Sequence, residues 1–573
     1  MTDIRRTILW VIFGFSLVML WDQWQVFNGR QATFFPSGKP PATATAPAAN
    51  GTGTTASTLP TPSATPGAPG AAAPAAGAVP PSAPAVPREA ITVTTDVFRV
   101  TFDTEGGNVV RTELLKHASD STADNKSSTL VLMDQNAERV YVAQSGLIGG
   151  EFPNHKTPMT FSGDRALRDG ANELTVKFES PVVGGVKLVK TYTLKRGAYD
   201  VAVRHEVINS GSAPVAPQLY MQLVRGAGTS GGSWLTNPTG TFTGPAVYTE
   251  AQKYQKVEFT DIDKNKAEYE KSSTSGWIAM VQHYFATAWV LPEGLKRDNF
   301  VRKVDNNLYA VGMIAPLQPV APGATQAVPA TFFAGPQEEK MLERVAPGLD
   351  LVKDYGIFTI LAKPLYWLLD KLHGFIGNWG FSIMALVLLI KIAFYWLQAK
   401  GYESMAKMKA INPKVVALRE RYKDNPQQMQ QEMMRIYREE KVNPLGGCLP
   451  IMVQIPVFIA LYWVLLSSVE MRNAPWILWI RDLSTPDPYF ILPAIMTLTT
   501  LLQTALNPVP PDPMQAKMMW FMPLIFSVMF FFFPAGLVLY WITNNVLSIA
   551  QQWLINTRMG VPPEFNLPKF GKT

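Results

Sequence analysis

The fold is decided by one apolar stretch, Phe381-Ser-Ile-Met-Ala-Leu-Val-Leu-Leu-Ile-Lys391-Ile-Ala-Phe-Tyr-Trp-Leu397. As a helix it is long enough to cross a lipid bilayer, yet it contains one cation, Lys391. At a helical rise of about 1.5 Å per residue, Lys391 lies roughly 10 Å from the polar boundary near Gln398, and so within one leaflet. Either its ammonium extends to the lipid headgroups, or it lies in a hydrated cavity between helices. The rest of the chain must distinguish these alternatives.

The composition favours a multidomain protein without a catalytic or metal centre. The chain has 573 residues, and its single cysteine, Cys448, excludes an internal disulfide and a cysteine-rich metal site. The five histidines form no metal-binding pattern, and no nucleophile–base or paired-carboxylate pattern stands out. We therefore expect no enzymatic activity, no cofactor and no metal ion.

Two N-terminal segments precede the first folded domain. Arg5 and Arg6 are followed by an apolar run that ends at Trp21, which predicts an uncleaved signal anchor over residues 1–27. A cleaved signal peptide is the alternative. Residues 28–89 are rich in Pro, Ala and Thr and cannot bury enough apolar area to fold, so we expect a linker there.

Residues 90–349 are predicted to form an all-β sandwich domain that ends in a helix. Apolar residues recur with a period of two in three runs: Leu174, Val176 and Phe178; Val186, Leu188, Tyr192 and Leu194; Tyr199, Val201, Val203 and Val207. Between the last two runs, Lys195-Arg196-Gly197 indicates a hairpin turn. The closing helix is predicted to start at Gln337. Residues 350–375 follow as an amphipathic helix in the membrane interface or, alternatively, as a last helix packed on the β domain.

Five further apolar segments are predicted to cross the membrane, so the expected fold is a six-span α-helical membrane protein with a large extracytoplasmic β domain. The spans are residues 376–398, 447–469, 489–507, 518–533 and 537–556, with loops at 399–446, 470–488 and 508–517 and a tail at 557–573. The last two spans share forty uncharged residues, Met518 to Thr557, which Phe533-Pro-Ala-Gly536 interrupts midway. Forty helical residues are about twice the length that one crossing needs.

The charge of the loops predicts the orientation. Residues 400–441 contain ten Lys or Arg against six Asp or Glu, whereas residues 470–487 contain two against three. The basic loop and both termini are therefore predicted to be cytoplasmic. The β domain then faces the other side, which in a bacterium is the periplasm; a cell surface or an organelle lumen is the alternative.

The basic loop is predicted to be a hairpin of two amphipathic helices. Its outward cations are Arg419, Arg421, Lys423, Arg435 and Arg438. They are either a solvated positive-inside surface or a docking site for an anionic partner, such as the ribosome, a targeting factor or anionic lipid.

Polar residues at membrane depth predict a groove around Lys391. Trp541, Asn545 and Ser548 share one helical face, flanked by Tyr540. Other spans add Tyr395, Gln398, Gln454, Thr497, Thr500 and Gln503 to the same cytoplasmic half. For one polar residue, hydrogen bonding between helices is the simpler explanation. Here polar residues line several helices around Lys391, and no Asp or Glu lies inside a span to pair with it. This combination instead predicts a hydrated concavity that opens to the cytoplasm. The absence of membrane-embedded carboxylates from these spans also argues against a cation-coupled transporter.

Several motifs resemble the YidC-type membrane protein insertases of Gram-negative bacteria. They are Gly377-Asn-Trp-Gly-Phe-Ser382, Ser404-Met-Ala-Lys-Met408, Glu440-Lys-Val-Asn-Pro-Leu-Gly-Gly-Cys448, Gln454-Ile-Pro-Val-Phe458, Asp512-Pro-Met514 and Phe533-Pro-Ala-Gly-Leu-Val-Leu-Tyr540. The resemblance implies a six-span insertase with a periplasmic β-supersandwich and a hydrophilic groove open to cytoplasm and lipid. It implies membrane lipids, nascent membrane proteins, the Sec translocon and the ribosome with its signal recognition machinery as partners.

The resemblance also assigns roles to individual residues. Lys391 matches the groove cation, which is usually an arginine in the family, and Val387 stands where a hydroxyl residue often lies. Tyr540-Trp541 matches a pair of tyrosines that contacts the substrate. A membrane-anchored periplasmic binding or assembly protein that works through its β domain is the alternative function.

Overall fold

A computed structural model describes residues 88–119, 129–227, 241–422, 425–440, 449–507, 513–558 and 565–566. The predicted signal anchor, nearly all of the linker and the tail beyond residue 566 lie outside these ranges, as do Lys423 and residues 441–448.

The β domain consists of two antiparallel sheets that enclose one apolar core. Its strands are β1 (Ala90–Thr94), β2 (Phe98–Asp103), β3 (Asn108–Ala118), β4 (Thr129–Met133), β5 (Tyr141–Ile148), β6 (Thr160–Gly163), β7 (Glu173–Glu179), β8 (Val186–Lys195), β9 (Asp200–Asn209), β10 (Gln218–Gly226), β11 (Gly244–Thr249), β12 (Lys253–Lys256), β13 (Ser272–Ser273), β14 (Trp277–Val281), β15 (Phe285–Val290), β16 (Arg297–Asp305), β17 (Leu308–Pro316) and β18 (Thr325–Pro336). One sheet has the order β1-β2-β3-β5-β10-β17-β16-β13, with β4 beside β3. The other has the order β12-β11-β14-β15-β18-β9-β8-β7-β6. The predicted sandwich is confirmed.

The predicted hairpin is the β8–β9 pair. Leu194 pairs with Val201 in the antiparallel register. Gly197 has φ of 71°, a left-handed conformation that glycine adopts without steric cost. Alternate residues of β7, including Val176 and Phe178, are fully buried, because a strand with one face on the core buries every second side chain.

The core also contains a buried cation on β8. The Lys190 Nζ donates to the carbonyl oxygens of Gly106, at 2.6 Å, and Ser145, at 2.7 Å. Ser145 Oγ lies 3.0 Å from Nε2 of His205, the residue that pairs with Lys190 on β9. Burial lowers the pKa of Lys190 to about 7, because desolvation disfavours the charged form.

The helical region follows the β domain in sequence. Its helices, with a short one inside the β domain, are α1 (Phe259–Asp263), α2 (Glu339–Val345), α3 (Thr359–Ile376), α4 (Trp379–Ala393), α5 (Tyr395–Arg421), α6 (Pro426–Glu439), α7 (Leu449–Ser467), α8 (Ile491–Leu506), α9 (Pro513–Phe530) and α10 (Ala535–Arg558). Short 3-10 turns cover Leu349–Val352, Gly356–Phe358 and Val469–Met471.

Helix α3 has one exposed apolar face. Ile360 is 88% exposed and Phe375 is 90% exposed, whereas Tyr366 and Leu369 are buried. The predicted helix over residues 350–375 begins later than expected: 3-10 turns come first, and the α-helix starts at Thr359.

The predicted span 376–398 is not one straight helix. Helix α4 ends at Ala393, and α5 starts at Tyr395 after a bend of 65°. The sequence pattern could not locate this break, because the apolar run continues through Phe394 without a Pro or Gly to mark it.

The combination of length and apolar character that a membrane span requires is not met by any single helix within the described residues. The bent pair Trp379–Ala393 and Tyr395–Ser404 meets it by length and composition. Three shorter apolar helical stretches lie in α7, α8 and α9, at Met452–Ser467, Ile491–Leu506 and Ala516–Phe530.

The β domain is joined to α7 by apolar and polar contacts. Val469, just beyond α7, is 3% exposed and belongs to the apolar core of the β domain. The backbone oxygen of Leu466 lies 2.9 Å from Nε2 of His283, and Ser467 Oγ donates to the backbone oxygen of Asp354 at 2.8 Å. The end of α7 that is adjacent to the β domain is therefore fixed to it.

Candidate functional site

Lys391 lies in the last turn of α4 and points into the helical region. The helix begins at Trp379 because Asn378 caps it, accepting a hydrogen bond from the Phe381 N–H at 3.1 Å. Lys391 is only 6% exposed. Its Nζ donates to Ser548 Oγ on α10 at 2.7 Å.

The partner of Lys391 is a hydroxyl group. None of the ion pairs among the described residues involves this ammonium. Ser548 Oγ in turn donates to the backbone oxygen of Asn544 at 2.7 Å, which orients its lone pairs toward the ammonium. The positive charge is thus solvated by a neutral dipole and keeps its capacity to attract an anion.

Gln454 connects three helices beside this cation. Its Oε1 accepts from Gln398 Nε2 on α5 at 3.4 Å, and its Nε2 donates to Asn544 Oδ1 on α10 at 3.0 Å. A cavity of about 10 Å³ lies between Gln398 and Gln454, with apolar residues of α4, α5 and α7 around it. That volume suffices for about one water molecule.

A second set of hydrogen bonds joins α10 to α8. Asn545 Nδ2 donates to Thr500 Oγ1 at 2.8 Å and to Thr499 Oγ1 at 3.3 Å. Gln552 Nε2 donates to the backbone oxygen of Leu506 at 3.3 Å. Gln503 lies half-buried on α8, one turn beyond the two threonines.

The aromatic residues of α10 lie nearer its N-terminal end. Tyr540 is 4% exposed, with its ring centroid 5.7 Å from that of Phe458. Trp541 contacts Phe458 edge-on at 4.7 Å and Phe530 at 5.0 Å. The predicted stripe on α10 therefore has an aromatic part and a polar part.

Comparison with known proteins identifies the family. Residues 90–368 match the model of the YidC periplasmic domain, and residues 371–561 match the model named 60Kd inner membrane protein. The chain belongs to the YidC family. Its β domain is the periplasmic domain of that family, and its helical region is the inner-membrane part.

Full-length relatives carry the same name, Membrane protein insertase YidC. The protein of Cupriavidus taiwanensis is 56% identical, over 97% of this chain and 98% of its own. That of Burkholderia cenocepacia (strain HI2424) is 53% identical, over 97% and 99%. A crystal structure of an active YidC insertase with the first transmembrane domain resolved is 20% identical and covers 80% of this chain and 91% of its own, with a TM-score of 0.36.

Four of the residues that were predicted to line a groove lie close together in this structure. Lys391, Gln454, Asn545 and Ser548 lie in or beside the hydrogen-bonded cluster. Tyr395 does not join it and is 38% exposed, because the bend at Phe394 ends the helical face that was extended from Lys391 to Tyr395.

Asn544 flanks the polar face of α10 in the sequence, one turn from Ser548, but was not among the predicted groove residues. It contacts both Gln454 and Ser548.

The basic surface of α5 and α6 is only partly described. Arg421, Arg435 and Arg438 are exposed. The Arg435 guanidinium pairs with Glu439 on the same helix, with Nε and Oε1 2.8 Å apart, so part of its charge is compensated. The side chain of Arg419 and all of Lys423 lie outside the described part of the chain.

Proposed function

We propose that this chain inserts integral proteins into the bacterial inner membrane and helps them fold and assemble, alone or beside the Sec translocon. The polar segment of the substrate enters a groove that is lined by the Lys391 cluster and open to the cytoplasm. Its apolar segment moves along the outer faces of the helices into lipid. Membership of a family whose relatives are named membrane protein insertases supports the activity.

The topology that we propose has six spans: the N-terminal anchor and five core spans built from α4 with the start of α5, α7, α8, α9 and α10. The basic segment 399–446 and both termini lie in the cytoplasm, and the β domain lies in the periplasm. The charge distribution of the loops supports this orientation.

The observation that carries the mechanism is the Lys391–Ser548 contact. A buried ammonium that has a hydroxyl partner, and no carboxylate partner among the described residues, retains a positive potential, which attracts acidic parts of an incoming chain. Because lysine lacks the fork of an arginine, the attraction depends on charge and not on bidentate geometry.

The incoming polar segment meets side chains that hydrogen-bond to one another across α5, α7 and α10, and it competes for those hydrogen bonds. Once inside, it exchanges water for polar side chains, which lowers the cost of moving its polar groups across the membrane. Neither a nucleotide nor a covalent intermediate is needed for this exchange.

The exposed cations of α5 and α6 are proposed to dock the ribosome, its targeting factor or anionic lipid. Their exposure and the excess of Lys and Arg in this segment support an anionic partner.

Substitution of Lys391 tests the mechanism. In cells depleted of the native insertase, Lys391→Ala should impair insertion of substrates with acidic translocated segments and spare those with neutral segments. Lys391→Arg should retain insertion of both, because the charge is kept. Full insertion of the acidic substrates by Lys391→Ala would refute the groove-charge mechanism.

A second candidate function is a periplasmic binding or assembly activity of the β domain. A cavity of about 580 Å³ beside Tyr248 and Trp277 favours it, since ligand sites commonly have this size. Deletion of residues 90–330 separates the two functions: retained insertion supports the helical core as the working part, and lost insertion supports the β domain.

A further inference from the structure

Among the described residues of the helical region, one buried side-chain amide has no hydrogen-bond partner. Asn544, Ser548 and Gln551 share a face of α10, at spacings of four and seven residues. The first two contact Gln454 and Lys391. Gln551 is 9% exposed, and within the part of the chain that the structure describes neither its Oε1 nor its Nε2 has a partner.

A second amide on the facing helix is only half satisfied. Gln398 is 7% exposed, and its Nε2 reaches Gln454 at 3.4 Å, a long hydrogen bond. Its Oε1 is buried and has no partner among the described residues. Buried polar atoms are almost always hydrogen-bonded, and each exception costs free energy. The two amides therefore retain hydrogen-bonding capacity that the described side chains do not use.

The chemistry of that partner follows from the side chains. A glutamine amide offers one carbonyl acceptor and an N–H donor, the same groups that each peptide unit presents. A polypeptide backbone can therefore pair with Gln398, Gln454 and Gln551 whatever its sequence. A small anion would accept hydrogen bonds from the N–H donors only and would leave the amide oxygens unpaired.

We propose that the side-chain amides of Gln398, Gln454 and Gln551 bind the peptide backbone of the chain that is being inserted. The backbone pairs with the unused amide groups of Gln398 and Gln551 and competes for the Gln398–Gln454–Asn544 hydrogen bonds between α5, α7 and α10. This inference rests on the proposed function and deepens it. Lys391 selects for charge, whereas the amides recognise the feature that all substrates share.

The test is Gln551→Met, which keeps the length of the side chain and removes both polar atoms. Because an unpaired buried amide is lost, the Tm of the purified full-length chain should rise. Because a backbone partner is lost, photo-crosslinking to a stalled nascent chain that carries a photoreactive residue in its polar segment should fall roughly two- to tenfold, which corresponds to one net hydrogen bond. If Gln551 had only a structural role, Gln551→Met would lower both the Tm and the crosslinking yield.

Gln552→Met is the matched control for stability. This neighbouring glutamine does have a partner, since its Nε2 donates to the backbone oxygen of Leu506 at 3.3 Å. Its replacement should lower the Tm. If Gln551→Met also lowers the Tm, the Gln551 amide is already satisfied and the proposal is refuted. It is equally refuted if crosslinking by Gln551→Met equals that of the unmodified chain.

Two substrates separate this inference from the proposed function. The crosslinking loss in Gln551→Met should be equal for acidic and neutral polar segments, and it should shrink for a segment with alternating prolines, which has fewer N–H donors. A loss confined to acidic segments would refute backbone binding. Failure of the unmodified chain to insert any substrate would refute the proposed function itself.

Discussion

The Lys353 ammonium lies 3.4 Å from Oε2 of Glu470, across 117 positions in the sequence, and joins the exit of the β domain to the loop that follows α7. The Lys353 side chain is fully buried, and its Nζ lies 3.8 Å from the ring centroid of Tyr366 on α3. The Tyr366 hydroxyl donates to Glu470 Oε1. One cation thus connects three segments next to the β domain.

Breaking this pair should destabilise the chain. Lys353→Met keeps most of the apolar stem but leaves Glu470, whose side chain is 17% exposed, without its cation. We expect a loss of about 1–3 kcal/mol in the free energy of unfolding. A double-mutant cycle with Glu470→Gln should show part of this loss recovered, because no unpaired charge remains.

Lys340→Met is the control for that cycle. Lys340 pairs with Asp370 at 2.7 Å, but its side chain is 65% exposed, so its removal should cost less than about 1 kcal/mol. Equal costs for Lys353→Met and Lys340→Met would mean that burial does not strengthen the junction.

Lys190 should make the stability of the β domain depend on pH. Burial lowers its pKa to about 7 in the folded chain, against about 10.4 when unfolded. Between these values the unfolded state binds more protons, so the free energy of unfolding should rise with pH. Below pH 7 the lysine is charged in both states, and the full cost of burying the charge is present.

Denaturant titrations of the full-length chain from pH 7 to 9 would measure this slope, and Lys190→Met should reduce it. Lys187 on the same strand is a suitable control, because it is partly exposed and pairs with Glu179, with Nζ and Oε2 2.6 Å apart. Lys187→Met should leave the slope in place. A slope that is unchanged in Lys190→Met would assign the pH dependence to another group.

Gly380 should tolerate no side chain. A Cβ at this position would lie 2.2 Å from Cδ1 of Trp476 and 2.4 Å from its Cγ. The same loop is held by Asn378, whose Nδ2 donates to the backbone oxygen of Trp476 at 3.2 Å. Gly380→Ala should therefore displace the loop from the start of α4 and lower the Tm.

Gly374 on α3 provides the matched control, since a Cβ there meets no heavy atom within 4 Å. Gly374→Ala should be neutral or stabilising by up to about 1 kcal/mol, through helix propensity. If the contact between the new Cβ and the Trp476 ring causes the loss of stability, the Tm changes of Gly380→Ala and Trp476→Leu should be less than additive in the double mutant.

Local patterns made much of this structure predictable. The β8–β9 hairpin follows from the alternation of apolar and polar residues in its strands and from the turn at Gly197. The Lys391–Ser548 contact joins two helices whose polar faces were identified by helical spacing. Contacts between distant segments were not predictable. No local sequence pattern pairs Lys353 with Glu470, because a salt bridge between residues 117 positions apart depends on how the β domain packs against α7. The bend at Phe394 was not predictable either, because no Pro or Gly marks it within the apolar run.

The Lys391–Ser548 contact permits a test of charge that leaves the lysine in place. Ser548→Asp puts a carboxylate where the Lys391 ammonium now finds a hydroxyl at 2.7 Å. An internal ion pair would form and cancel the potential that the incoming acidic segment is proposed to meet. Insertion of acidic substrates, measured by protease protection in depleted cells, should fall as far as in Lys391→Ala. Ser548→Ala removes the hydroxyl without adding charge and should cost less. If Ser548→Asp inserts acidic substrates as well as the unmodified chain does, electrostatic attraction by Lys391 has no part in insertion.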